Sequence, residues 1–443
     1  MRVLVVSYAY APDILPRAFR WATIAERWVA QGHQVDVVCG PDLNKPVEAR
    51  RNGVIVYRVG SRFVGRVRRY LNSRAMTFPN AGRGASTGYK NGLRAPLVRF
   101  FRWLHDRSWR LIYWPDLAGP WLFVARRHVR ALAREHNYDA IITVSPLFTS
   151  HLVGLSCRRN LRGSIWLADY GDPFSYSETG RPANNRLLYG ALNHWVENRV
   201  LQFADVVSVT TNETRELYAR LFPTTKVPVV VVPPLIPKLT YQDGATKPPR
   251  VAASEDKIVL TYTGHFYPGV REPGPLLALI EAFLDVDARY RGRLQVHIIG
   301  PLDRVEASFR AFRRWPGVIK LLGQLPPELA RKEIDVADGL INIGNMTSYQ
   351  LPSKVVEYAA SGKPILNLCL SEKDSSARFF DSYPLVCNIL MNGSSNSQAV
   401  GIFRKFLDEM IGQRVDPDLI EELVAPYSPE KVAAQYADLI ARN

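Results

Sequence analysis

No stretch of about 18 apolar residues occurs in this 443-residue chain, so nothing in the sequence qualifies as a membrane-spanning helix. Cysteine is scarce, and Cys39, Cys157, Cys369 and Cys387 stand far apart. That spacing excludes the clustered ligands of a zinc site and a disulfide framework, and it predicts a reducing, cytoplasmic setting. No G-x-G-x-x-G follows the first apolar run, which argues against a dinucleotide-dependent dehydrogenase. Helix-turn-helix, zinc-finger and RRM signatures are absent, so no nucleic-acid partner is expected. The opening MRVLVVSYAYAPD meets Pro12 and Asp13 early and has no small-residue cleavage site. It reads as a buried strand rather than a signal peptide.

Acidic residues are also in deficit: 41 Asp and Glu face 57 Lys and Arg, a net charge of +16. Such an excess speaks of partners rather than of fold. It is concentrated, since residues 61–110 hold twelve Arg or Lys against the single acid Asp106. Aromatic residues such as Phe63, Tyr70, Phe100 and Trp103 are interleaved with these cations. The mixture predicts peripheral contact with anionic lipid at the cytoplasmic face of a membrane. A merely solvated basic face is the competing reading.

What is present is globular: 47% hydrophobic and 22% charged residues, in a length that suits two cores. Apolar runs at 2–7, 34–39, 54–59, 140–144, 164–168, 206–209 and 227–232 alternate with helical patterns at 16–31, 94–112, 119–136, a helix through 152, and 187–203. Thr210 and Glu213 have capping-box spacing for one more helix, to about 222. Residues 61–93 read as a long loop. Strands that are apolar throughout and separated by helices predict a parallel sheet covered on both faces. Pro233, Pro234, Pro237, Pro248 and Pro249 then break the pattern. The alternation restarts with strands at 258–263, 294–299, 319–322, 339–343, 365–368 and 385–387, and the chain ends in an amphipathic helix at 428–442. The expected division is a domain over 1–235, a linker over 236–256, a second domain over 257–425 and a final helical segment over 426–443. Ligands of such sheets sit beyond the carboxyl ends of the strands.

Three segments carry chemistry. LPSKVVEYAASGKP, residues 351–364, places Pro352 at a helix start and Lys354 in its first turn. A cation there opposes the helix dipole unless an anion lies between them. Glu357 shares Lys354's face and can accept hydrogen bonds from ribose hydroxyls. In TYTGHFYPGVREPG, residues 261–274, Gly264 ends a strand where backbone can approach a ligand, with His265 and Arg271 following. IWLADYGDPFS, residues 165–175, puts Asp169 and Asp172 at the carboxyl end of a strand, where a carboxylate can act as a general base; an N-cap or loop acid is the plainer alternative.

The 351–364 segment resembles the nucleotide-binding helix of family-four-like GT-B glycosyltransferases, whose pattern ends E-A-x-A-x-G-x-P. Here it reads Glu357-Tyr358-Ala359-Ala360-Ser361-Gly362-Lys363-Pro364. The Pro352-Ser353-Lys354 form is similar to the branch that includes a membrane-associated glucuronosyltransferase. By this resemblance Lys354 meets the donor diphosphate, Glu357 the ribose, and Arg271 a phosphate, with Ser353, Gly264 and His265 as further donor-side candidates. The LLGQL stretch resembles the family's base-binding segment, which makes Gly323 and Gln324 candidates to hold the nucleobase. The family's first Glu is Tyr349 here, and in retaining members that Glu approaches the donor sugar. Asp172 and Asp169 resemble the acids of a D-x-R-D-P-W stretch, with Gly171 where Arg is usual. Arg17, Arg20 and Asp116 are acceptor-side candidates.

The resemblance implies a GT-B fold: two Rossmann-like, doubly wound parallel-sheet domains facing a central cleft, with the last helix crossing back to the first domain. It implies transfer of a sugar from a nucleoside-diphosphate sugar, UDP-linked, to a saccharide or lipid-linked acceptor, with no metal or other cofactor. A non-hydrolysing sugar-nucleotide epimerase and a non-catalytic nucleotide-sugar-binding protein are the alternatives.

Overall fold

The structure, a computed structural model, describes residues 1–13, 15–42, 47–60, 113–160, 163–178, 184–236, 257–266, 270–302, 305–312, 314–391 and 396–442. The expected loop at 61–93, the helix at 94–112 and linker residues 237–256 lie outside the described residues. The chain divides into two compact units, Met1–Pro233 with Pro429–Asn443, and Pro234–Ser428.

The first unit runs β1 (Arg2–Ser7), α1 (Pro16–Ala30), β2 (Gln34–Cys39), β3 (Glu48–Arg51), β4 (Val54–Arg58), α2 (Trp121–Glu135), β5 (Ala140–Val144), α3 (Thr149–Cys157), β6 (Ile165–Asp169), α4 (Arg186–Phe203), β7 (Val206–Val209), α5 (Asn212–Leu221) and β8 (Val229–Val231). Its sheet has the order β3-β4-β2-β1-β5-β6-β7-β8. All pairings are parallel except β3 with β4. The sequence pattern gave no hint of β3, whose residues are EARR. An edge strand can be held by backbone pairing to one neighbour and needs no apolar alternation. The capping box also moves by one residue: the cap of α5 is Thr211, whose side chain accepts from the Thr214 N–H at 3.1 Å.

Helix α1 starts on Pro16, where the missing N–H costs nothing. It turns Trp21, Ile24, Ala25 and Trp28 inward. The final helix, Pro429–Ala441, packs on it. Tyr436 lies 4.8 Å from Trp21, ring to ring, and the Trp28 indole N–H donates to the Ala433 carbonyl at 3.1 Å.

The second unit runs β9 (Ile258–Thr263), α6 (Gly274–Val286), β10 (Leu294–Ile299), α7 (Glu306–Ala311), β11 (Ile319–Gly323), α8 (Pro327–Val336), β12 (Gly339–Ile343), α9 (Ser353–Ala359), β13 (Ile365–Cys369), α10 (Ser375–Phe379), β14 (Val386–Leu390), α11 (Asn396–Lys405) and α12 (Pro417–Val424). Its six strands are all parallel, in the order β11-β10-β9-β12-β13-β14. Leu260, Val296, Ile298, Ile341 and Leu366 carry one side of the sheet into a core with α6 and α11. Strand order reverses between β9 and β12, and that switch point is where a doubly wound sheet opens a crevice at its carboxyl edge.

Candidate functional site

In the second unit a glycine follows or ends each strand around the switch point: Gly264 after β9, Gly300 after β10, Gly323 at the end of β11 and Gly344 after β12. Two of these have no alternative. Gly300 has φ +147, and a Cβ there would lie 1.9 Å from the Gly264 carbonyl oxygen. Two turns therefore meet backbone to backbone, tied by Gly264 N–H to the Ile299 carbonyl and Gly300 N–H to the Gly323 carbonyl, each at 2.9 Å. At Gly344 a Cβ would fall 1.8 Å from a carboxylate oxygen of Asp374. At Gly264 and Gly300 the strand edge therefore presents backbone rather than side chains of its own, which lets a ligand approach closely.

Arg271 lies against this edge. It is buried, its guanidinium reaches to within 3.6 Å of where a Gly264 Cβ would be, and its Nη2 donates to Asn345 at 2.7 Å. The Met346 N–H donates to the Val270 carbonyl at 3.1 Å. These bonds hold the turns after β9 and β12 together with the arginine between them. Asn345 was not foreseen from the sequence.

Helix α9 contributes Lys354 and Glu357, which are paired with each other at 2.5 Å across one turn. Ser353 opens the helix, and its side chain lies outside the described residues. The helix is anchored by Tyr358, a position that the sequence pattern left without a role. Its buried hydroxyl accepts from the Thr263 N–H at 2.8 Å, so α9 is pinned to the last residue before Gly264. Burial pushes that hydroxyl's pKa far up, so it stays neutral. Tyr349, in the loop that leads to α9, is buried. His265 is half-buried after Gly264, and Gln324 is exposed after Gly323.

In the first unit the two candidate acids have different surroundings. Asp169 is buried, and its carboxylate accepts from Arg17 (2.8 Å), the Trp21 indole (2.7 Å), Ser208 (2.8 Å) and the Tyr436 hydroxyl (2.7 Å). Four donors fill the lone-pair positions that a carboxylate offers. Burial alone would raise its pKa; Arg17, Arg20 and the hydrogen bonds outweigh burial and hold it below the usual range. Asp172 lies three residues on, partly exposed, past Gly171.

Gly171 explains one departure from the family pattern. A Cβ there would lie 3.0 Å from Arg17 Nε. Arg17 also donates to the Tyr170 carbonyl at 2.6 Å. The guanidinium at this turn is thus supplied from α1, over a residue that must be small. Arg20 and Asp116 are both buried. Arg20 binds the carbonyls of Val232 and Pro233 and the hydroxyl of Tyr436. Asp116 accepts from Ala118 N–H, Thr149 N–H and the Thr149 hydroxyl, fixing the start of α3. Both side chains are engaged with the scaffold of the first unit.

Residues 18–234 match the model of the glycosyl transferase 4-like domain. Among solved structures, the sucrose-phosphate synthase of Thermosynechococcus elongatus is 15% identical with a TM-score of 0.66, covering 100% of this chain and 99% of that one. A trehalose-6-phosphate protein from E. coli, bound with UDP-2-fluoro glucose, is 12% identical with a TM-score of 0.62, covering 99% of each chain. A glycosyltransferase from Rickettsia africae is 10% identical with a TM-score of 0.59, covering 100% and 98%. At these identities the likeness is one of fold, and it confirms the expected GT-B architecture of two parallel-sheet α/β domains. Comparison with curated proteins by sequence gives no match.

Proposed function

We propose that this chain, whose residues 18–234 match the glycosyl transferase 4-like domain and whose fold is GT-B, is a glycosyltransferase that moves a sugar from a UDP-sugar to a saccharide or lipid-linked acceptor. The observation that carries the donor half is the glycine-lined edge of the second unit, with Arg271 against it and α9 pinned beside it by Tyr358. A diphosphate bound there meets two cations, Arg271 and Lys354. Lys354 exchanges its bond with Glu357 for the phosphate, and Glu357 turns to the ribose hydroxyls. The UDP-bound neighbour from E. coli supports the choice of nucleotide.

The first unit supplies the base and meets the acceptor. We assign proton removal to Asp172, because Asp169 has all its acceptor capacity engaged. Asp172 takes the acceptor hydroxyl's proton as that oxygen bonds to the sugar's anomeric carbon. The bond from that carbon to the diphosphate breaks, and UDP leaves with the electron pair. Negative charge grows on the leaving oxygens, where Arg271 and Lys354 stabilise it. This is an inverting displacement, consistent with Tyr349 standing where retaining relatives have Glu. No group on this path calls for a metal. The place of action is the cytoplasmic face of a membrane, in cell-surface polysaccharide or glycoconjugate synthesis.

A thermal-shift screen across UDP-, GDP-, ADP- and dTDP-sugars tests the donor half. A rise in melting temperature with UDP-sugars is expected, followed by acceptor-dependent release of UDP. Exchange at the sugar carbon without any acceptor would instead identify an epimerase.

A further inference from the structure

Helix α4 has apolar surface on two sides. Inward, Val196, Val200 and Leu201 enter the core of the first unit. Outward, Leu188, Leu192, Trp195 and Phe203 follow one another at helical spacing along roughly 22 Å of the helix, and all are exposed, Trp195 at 59%. Leu187 beside them is 100% exposed. A surface helix ordinarily turns charge to that side. Here the only acid of α4, Glu197, points inward and is fully buried, accepting from the N–H groups of Phe174 and Ser175 and the hydroxyls of Ser175 and Tyr218.

The charge that is present is cationic and lies against the apolar groups. Arg199 stacks on Phe203, 4.6 Å from its centroid. Helix α3 packs against both α4 and α2. Helix α2 carries exposed Phe123 and Val124, Arg126 over the Phe123 ring at 5.9 Å, and Arg127, with no acid before Glu135. Among the described residues no helix is long and apolar enough to cross a membrane. Leucine and tryptophan flanked by arginines with no intervening carboxylate complement an anionic lipid surface.

We propose that the outer face of α4, together with the first turns of α2, is the surface by which this enzyme lies on an anionic bilayer. This deepens the membrane side of the proposed function and rests on it. Trp195 and the leucines enter the headgroup boundary, and the arginines meet lipid phosphates.

The test is flotation of the full-length protein with phosphatidylcholine vesicles, with and without phosphatidylglycerol. Binding is expected only with the anionic lipid and should weaken as salt rises. Leu192→Glu with Trp195→Glu should cut that binding about tenfold or more, since two apolar anchors become two repelled charges. Both positions are exposed, so melting temperature and UDP affinity should match the parent. Arg126→Gln with Arg127→Gln should lower anionic binding by a smaller factor. Equal flotation of parent and Leu192→Glu/Trp195→Glu protein, or no flotation of the parent, overturns the assignment. A parent that is dimeric without lipid, with the same double variant monomeric, overturns it too, because the face would then join two copies. Loss of UDP binding by the parent would instead count against the donor reading and leave the lipid result standing.

Discussion

Replacing Asp169 with asparagine should unfold the first unit at markedly lower temperature, whereas the same change at the partly exposed Asp172 should cost far less stability and stop transfer. The difference follows from the surroundings of the two acids. Asp169 is fully enclosed and accepts four hydrogen bonds, one from a guanidinium. Asparagine keeps one acceptor oxygen and turns an NH2 group towards two of those donors. It also leaves Arg17, which is only 12% exposed, without its counter-charge. Removing one partner of a buried ion pair costs about 3–5 kcal/mol. For a unit of this size that corresponds to a melting temperature lower by roughly 10 °C or more.

The pH dependence has a definite sign. The folded pKa of Asp169 is depressed, so its contribution is present above the unfolded carboxylate value of about 3.9 and is lost as pH falls through the lower folded value. The gap between parent and Asp169→Asn should therefore be constant from about pH 5 to pH 8 and close in more acidic solution. Thermal unfolding followed by circular dichroism, beside a UDP-release assay, reads both effects. An Asp169→Asn protein that melts with the parent yet fails to transfer would refute the reasoning and make Asp169 the base.

Other substitutions read other contacts. Gly300→Ala forces a Cβ against the Gly264 carbonyl at a backbone conformation that alanine avoids; about 2–4 kcal/mol of destabilisation is expected, with UDP binding lost in calorimetry even where the protein still folds. Tyr358→Phe leaves the Thr263 N–H without its acceptor, and a loss of about 1–3 kcal/mol should appear in chemical denaturation. Gly171→Ala pushes on Arg17 and should cost about 1 kcal/mol, while lowering the transfer rate at saturating UDP-sugar more than it changes UDP affinity.

Much of the fold was legible because its signals are local. Strands such as Ala140–Val144 and Ile258–Thr263 are short runs between helices, built of apolar residues and threonine with no charge, the pattern expected of a sheet covered on both faces. The strand Glu48–Arg51 was not legible, because edge pairing leaves little mark on side-chain choice. The glycines could be read as turns, but the contact of Gly300 with Gly264 joins two loops 36 residues apart. The setting of Asp169 was out of reach for the same reason: its donors come from positions 17, 21, 208 and 436. Arg20 and Asp116 read as acceptor-side candidates, and only the packing shows that each satisfies buried backbone groups.

The central claim is that the second unit grips a nucleoside diphosphate at its glycine-lined edge with Lys354 as a ligand. Calorimetric titration of UDP into parent and Lys354→Ala protein tests it most directly. Loss of one charge-assisted bond predicts weakening by about 1.5–3 kcal/mol, roughly tenfold to 150-fold in Kd. Equal affinity in the two proteins, or no heat from UDP in either, would contradict it.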